Sequence, residues 1–161
     1  MATMHRKVIA LLAILAFGLP LTACGGNDNK DDGGGGGTTS EGTTVTVDLK
    51  EFAISTSQAS VPAGPVTFEA TNEGPNDEHE MVVIKTDLGL LGLPTDATGT
   101  VDEEGEGVEA LGEIEEFGVN ETKDLTLNLA PGNYVLICNI FTESENESHY
   151  QEGMRTSFTV T

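Results

Sequence analysis

The sequence predicts an all-β fold, a sandwich of about seven to eight strands carrying a long acidic insertion. Three observations predict it. Apolar residues recur with period two: Val45, Val47 and Leu49; Val66, Phe68 and Ala70; Leu125, Leu127 and Leu129; Phe158 and Val160. Two apolar runs, Met81 to Ile84 and Tyr134 to Ile137, are continuous, as in strands covered on both faces. Turn chemistry separates the segments: Pro62-Ala63-Gly64-Pro65, Asn72-Glu73-Gly74-Pro75 and Pro131-Gly132-Asn133.

Taken in order, the chain of 161 residues opens with a segment, residues 1–23, that reads as an export signal. Arg6 and Lys7 give a short basic start. An apolar run from Val8 to Leu21 follows, broken only by Gly18 and Pro20. It is too short for a spanning helix and stands next to a processing site. Leu21-Thr22-Ala23-Cys24 resembles a bacterial lipobox, whose cysteine becomes the lipid-modified first residue of the mature protein. A lipid on Cys24 would hold the protein on the outer side of the cytoplasmic membrane, in the cell envelope or periplasm. Residues 24–43 then form a Gly-rich tether that includes five consecutive glycines, Gly33 to Gly37. From residue 25 to residue 43 no apolar side chain offsets the entropy of ordering. Such a flexible linker lifts a domain some tens of Å from its anchor. Residues 44–161 are long enough for one domain with one core, and too short for two.

Within that domain the stretch from Asp87 to Asn120 breaks the strand pattern. Leu88, Leu90, Leu91 and Leu93 read as a short turn or helix before Pro94, and an acidic segment, residues 102–116, follows. The length of the stretch predicts a helical turn or two. Hard oxygens cluster there, but without the regular spacing of a calcium loop, so the segment reads as a solvated acidic excursion.

Charge narrows the partners. The chain has 27 Asp and Glu against 7 Lys and Arg, a net charge of −20. No basic patch exists to neutralise phosphates, so nucleic-acid binding is excluded. An acidic surface suits solubility, and it also suits docking to redox proteins with a basic surface. The membrane is reached only through the lipid on Cys24.

Cysteine arithmetic points to the chemistry. With Cys24 assigned to the lipid, Cys138 stands alone, and an unpaired cysteine in an oxidising compartment needs an explanation. Metal ligation supplies one. Cys138 is followed by His149 and Met154, and His79 is the other histidine outside the leader. A thiolate and a thioether favour Cu(I), and imidazole serves both oxidation states. His79, Cys138, His149 and Met154 are therefore the candidate ligands of one copper ion. Cys138 ends a buried strand, His79 begins another, and Gly153 permits a tight turn that points Met154 inward.

The pattern Gly132-x-Tyr134-x-x-x-Cys138, then His149-Tyr150-x-x-Gly153-Met154, resembles the cupredoxins, the blue or type 1 copper proteins. So does the run Val61-Pro62-Ala63-Gly64-Pro65-Val66-Thr67-Phe68, leading through Asn72 to His79-Glu80-Met81-Val82-Val83. The resemblance covers most of residues 44–161. It implies a Greek-key β-sandwich and a mononuclear copper site that transfers single electrons between extracytoplasmic redox partners. It assigns His79, Cys138 and His149 as strong ligands, Met154 as the axial one, and Asn139 as a brace near Glu80. One departure stands out. The family places its second histidine two to four residues beyond the cysteine, whereas here the ten residues Asn139 to Ser148 intervene. A loop that bulges outward still returns His149, because added chain length costs little closure entropy. It would also set Glu143, Glu145 and Glu147 beside an electron exit at His149. The alternative function is a copper storage or delivery protein of the cell envelope. An enzyme is not expected, since four protein ligands leave no open position for a substrate.

Overall fold

The computed structural model describes residues 42–161, so the export signal, Cys24 and nearly all of the tether lie outside the described residues. Eleven strands follow one another: β1 (Thr43–Lys50), β2 (Ala53–Thr56), β3 (Ser60–Val61), β4 (Gly64–Asn72), β5 (His79–Lys85), β6 (Glu109–Phe117), β7 (Thr122–Leu129), β8 (Gly132–Ile137), β9 (Phe141–Thr142), β10 (Glu147–Ser148) and β11 (Arg155–Val160). A single turn of helix, α1 (His149–Glu152), lies between β10 and β11. One sheet has the order β2-β1-β4-β7, and the other has the order β3-β11-β8-β5-β6. The chain crosses between the sheets from β2 to β3, from β3 to β4, from β4 to β5, from β6 to β7 and from β7 to β8. Within the sheets, β1 runs parallel to β4 and β3 parallel to β11, and the remaining pairs are antiparallel.

The period-two residues face one another across this sandwich. Val45, Val47 and Leu49 of β1 and Val66, Phe68 and Ala70 of β4 are fully buried. They pack with Met81 and Val83 of β5, Tyr134 and Leu136 of β8, and Phe158 and Val160 of β11 in one apolar cluster. Phe68 and Phe158 meet edge to face with centroids 5.4 Å apart. The Tyr134 hydroxyl, carried into this core, donates to the Ala130 carbonyl at 2.7 Å.

The continuous runs have a different cause. Val82 and Ile84 of β5 and Val135 and Ile137 of β8 point out of the sandwich, yet they too are buried. Leu93, Val101 and Tyr150 pack on them as a second apolar cluster. The excursion after β5 is thus a cover for the back of the second sheet, held by apolar contacts, and its acidic side chains face water, apart from the half-buried Glu103.

Three expectations are corrected. Among the described residues the strands number eleven, not seven or eight, because β2, β3, β9 and β10 are too short to show a period. No helix forms in the 87–120 stretch; residues 88–94 are turns and irregular chain. The end of the acidic segment is not a loop but β6, the edge strand beside β5. Its register against β5 shifts twice, so its two buried residues, Ile114 and Phe117, fall three apart and the period of two is lost. Glu113, Glu115 and Glu116 are exposed on it, and charge on an open edge opposes pairing with another chain. Among the described residues, no helix is long and apolar enough to cross a membrane.

Candidate metal centre

The four predicted donors come from three elements at one end of the sandwich. His79 opens β5, Cys138 directly follows β8, His149 opens α1, and Met154 directly follows the Gly153 cap of that helix. All four are buried, with none more than 1% exposed. His79 Nδ1 lies 3.3 Å from His149 Nδ1, and His149 Nδ1 lies 3.4 Å from Cys138 Sγ. Donor atoms of His79, Cys138 and His149 all fall within 4.8 Å of one another. Two nitrogens held about 2.0–2.1 Å from one ion, at a tetrahedral to trigonal angle, stand about 3.3–3.6 Å apart. The two imidazoles already have that spacing.

Met154 joins through its backbone as well as its burial. Its amide donates to the His149 carbonyl at 2.9 Å, and its carbonyl accepts from the Cys138 amide at 3.0 Å. Gly153 makes this possible. Its φ is +131°, and a Cβ there would stand 2.9 Å from the Phe52 carbonyl oxygen.

The surroundings keep the donors neutral until a cation arrives. Burial pushes the Cys138 thiol up to about 12, outweighing the backbone N–H groups of Glu80 and Ile140 that favour the thiolate. Burial lowers both imidazoles, and His149 lowers His79 further. Thiol and imidazoles are soft and borderline donors that gain from copper what they lose by leaving water. The residues therefore fit a copper ion.

No family model matches the chain, and no curated protein matches it. Solved structures do. The crystal structure of Na-dithionite reduced auracyanin from the photosynthetic bacterium Roseiflexus castenholzii superposes with a TM-score of 0.51 at 22% identity, covering 74% of this chain and 97% of that chain. Auracyanin B gives a TM-score of 0.50 at 23% identity, covering 74% and 88%. Auracyanin A, a "blue" copper protein from the green thermophilic photosynthetic bacterium Chloroflexus aurantiacus, gives 0.50 at 19%, covering 74% and 99%. The fold is cupredoxin-like.

In this cupredoxin-like frame the stretched Cys138-to-His149 link has a simple resolution. Phe141 pairs with Ser148, and Thr142 with Glu147, so β9 and β10 form a small hairpin. The His149 amide then donates to the Ile140 carbonyl at 3.0 Å. Eight of the ten intervening residues are pinched out, and His149 stands beside Ile140 as though only Asn139 and Ile140 separated it from Cys138. Ser148 finishes the job as the cap of α1: its hydroxyl accepts from the Gln151 amide and donates to the Gly99 carbonyl. The expected electron exit is altered, however. Glu143 and Glu145 are exposed on the hairpin, but the His149 ring is covered, with Phe52 against it edge to face at 5.3 Å.

The supporting residues extend beyond the expected one. The Asn139 amide donates to Glu80 Oε1 at 2.8 Å, as the sequence led us to expect, and its side chain bridges Val101 and Glu103. The Glu80 amide points at Cys138 Sγ at 3.5 Å. Burial, with Glu103, Glu113 and Glu116 nearby, pushes the Glu80 carboxyl up to about 7 despite the Asn139 bond. Asn72 holds the loop into His79: its Nδ2 donates to the carbonyls of Asp77 and Phe117, and its Oδ1 accepts from the Gly74 amide. Sequence reasoning passed over Glu51 and Phe52, which sit in the turn between β1 and β2, where no pattern marks them.

Proposed function

We propose that this chain is a mononuclear type 1 copper protein that carries single electrons between redox proteins outside the cytoplasm. The observation that supports it best is the convergence of Cys138 Sγ and the Nδ1 atoms of His79 and His149 in a fully buried site. His79, Cys138 and His149 would be the strong ligands and Met154 the weak axial one. Copper, when bound, supplies a one-electron couple. The chain's own residues supply the constancy that fast transfer needs. Cys138 and Met154 are tied to each other by a backbone hydrogen bond, and His149 is tied to Met154 and to Ile140. The ligands therefore keep their places whichever charge they face. The Glu80 amide aimed at the sulfur withdraws density from the thiolate, a lever that tunes reduction potential. Burial keeps water from competing for the ion.

The same burial favours carriage over storage or delivery, because a receiving protein would find no exposed donor. The chain's net charge of −20 favours partners with a basic docking surface. The leader, Cys24 and the Gly-rich tether support a lipid-anchored location on the outer side of the cytoplasmic membrane. A Cys24→Ser chain should leave the membrane fraction; finding it still there would sink the anchor.

Loading the purified protein with Cu(II) tests the function. An intense thiolate-to-copper band in the red, at one ion per chain, is the expected result. A pale and readily chelated complex would favour delivery, and no uptake would sink both readings.

A further inference from the structure

Glu51 occupies the turn between β1 and β2, remote in sequence from every proposed ligand. Its Oε1 accepts from the backbone amides of Asn76 and Asp77, both at 2.6 Å, in the segment that leads into His79. Its Oε2 is buried and has no hydrogen-bond partner. The Nε2 of His79, a residue that is wholly buried, is in the same condition. Among the described residues these are the two buried side-chain nitrogen or oxygen atoms left without one. The first can only accept, if the carboxylate is ionised. The second carries the proton of a neutral imidazole whose Nδ1 offers its lone pair. One orphan is thus an acceptor and the other a donor, and buried polar groups are seldom left unpaired.

The rest of the network agrees with that tautomer. With His79 bare at Nδ1, His149 donates its Nδ1–H across the 3.3 Å gap, and its Nε2 accepts from the Thr142 hydroxyl at 3.5 Å. Charge agrees as well. Burial pushes the Glu51 carboxyl up, but hydrogen bonds from the backbone amides of Asn76, Asp77 and Glu51 itself help bring it below the ordinary carboxylate value, which favours the ionised acceptor. The neighbouring Phe52 packs edge to face on the other imidazole, that of His149.

We propose that Glu51 is a positioning residue for His79: its Oε2 accepts the Nε2 proton across one bridging water, and so fixes the ring with Nδ1 toward the copper. A carboxylate behind a ligating imidazole raises its basicity. That favours Cu(II) over Cu(I). The metal-loaded part of this inference rests on the copper reading, and the metal-free part does not.

The test uses the full chain and a Glu51→Gln variant, which keeps an oxygen for the Asn76 and Asp77 amides. In metal-free protein, nitrogen NMR of the histidines should show His79 protonated at Nε2, and Glu51→Gln should speed exchange of that proton at least tenfold. In copper-loaded protein the variant should lose about tenfold in Cu(II) over Cu(I) preference, which raises the potential by about 59 mV for a one-electron couple. Glu69→Gln, an equal charge change at an exposed position of β4, should move neither. A His79 protonated at Nδ1, an unaltered exchange rate, an unmoved potential, or a shift that Glu69→Gln reproduces would each overturn the proposal. Failure of the unaltered protein to take up copper would instead sink the copper reading, and the metal-free NMR would still decide the role of Glu51.

Discussion

A Cys138→Ser chain should lose the red band entirely and hold Cu(II) more weakly by well over the 10–100-fold that removal of a supporting group costs. The serine oxygen is harder than sulfur and does not ionise in so dry a place. Proton release distinguishes ligation from mere proximity. Burial holds the Cys138 thiol at about 12, so at pH 8 it is protonated in the metal-free protein. His79 and His149 are both lowered from the ordinary 6.5, so at pH 8 they are neutral and have no proton to give up from a charged ring. Uptake of one Cu(II) at pH 8 should therefore release one proton, all of it from Cys138. The serine variant should release none. Titration of copper into weakly buffered protein with a pH-stat reads the number directly. Retention of the band by the variant, or equal proton release from both chains, would show that sulfur is not a ligand.

The second large effect is on stability. Phe68→Ala should cost about 3–5 kcal/mol, from lost transfer energy and the cavity left behind. Phe68 is wholly buried at the centre of β4, between β1 and β7, and its ring meets Phe158 of the opposite sheet. It therefore links the two layers at a point where no neighbour can collapse inward without pulling its strand. Domains of this size are stable by about 5–15 kcal/mol, so the loss is a large share of the total. Urea unfolding of metal-free protein at neutral pH checks it through the shift in midpoint at constant slope. A loss below about 1 kcal/mol would mean that the layers do not depend on this contact.

How much of this was legible in the sequence depended on which residues carried the signal. The ligands were legible because their types are rare here: outside the leader and tether the chain has one cysteine and two histidines. The inward strands were legible because β1, β4 and β11 bury one face and wet the other, which writes a period of two. β6 was illegible because its register shifts put Ile114 and Phe117 out of step. The cover over the second sheet was half legible, since the runs in β5 and β8 called for burial on both sides without naming Leu93 and Val101 as what supplies it. Glu51, Phe52 and Asn72 were silent as supports because their roles come from tertiary approach. A carboxylate in a turn looks like any solvated one until the amides of Asn76 and Asp77 are seen to lie against it.

The hairpin of β9 and β10 separates two properties that a shorter link would bind together. Its base, where Phe141 meets Ser148 and His149 meets Ile140, sets the ligand's position. Its far end, Glu143 to Asn146, touches none of the donors' hydrogen bonds and turns through a positive φ at Asn146. Mutation can therefore rewrite the far end in length while the ligands' hydrogen bonds stay as they are, although the charge of Glu145 is felt at His149. The segment is a module on which recognition can evolve, or be engineered, without moving the ligands.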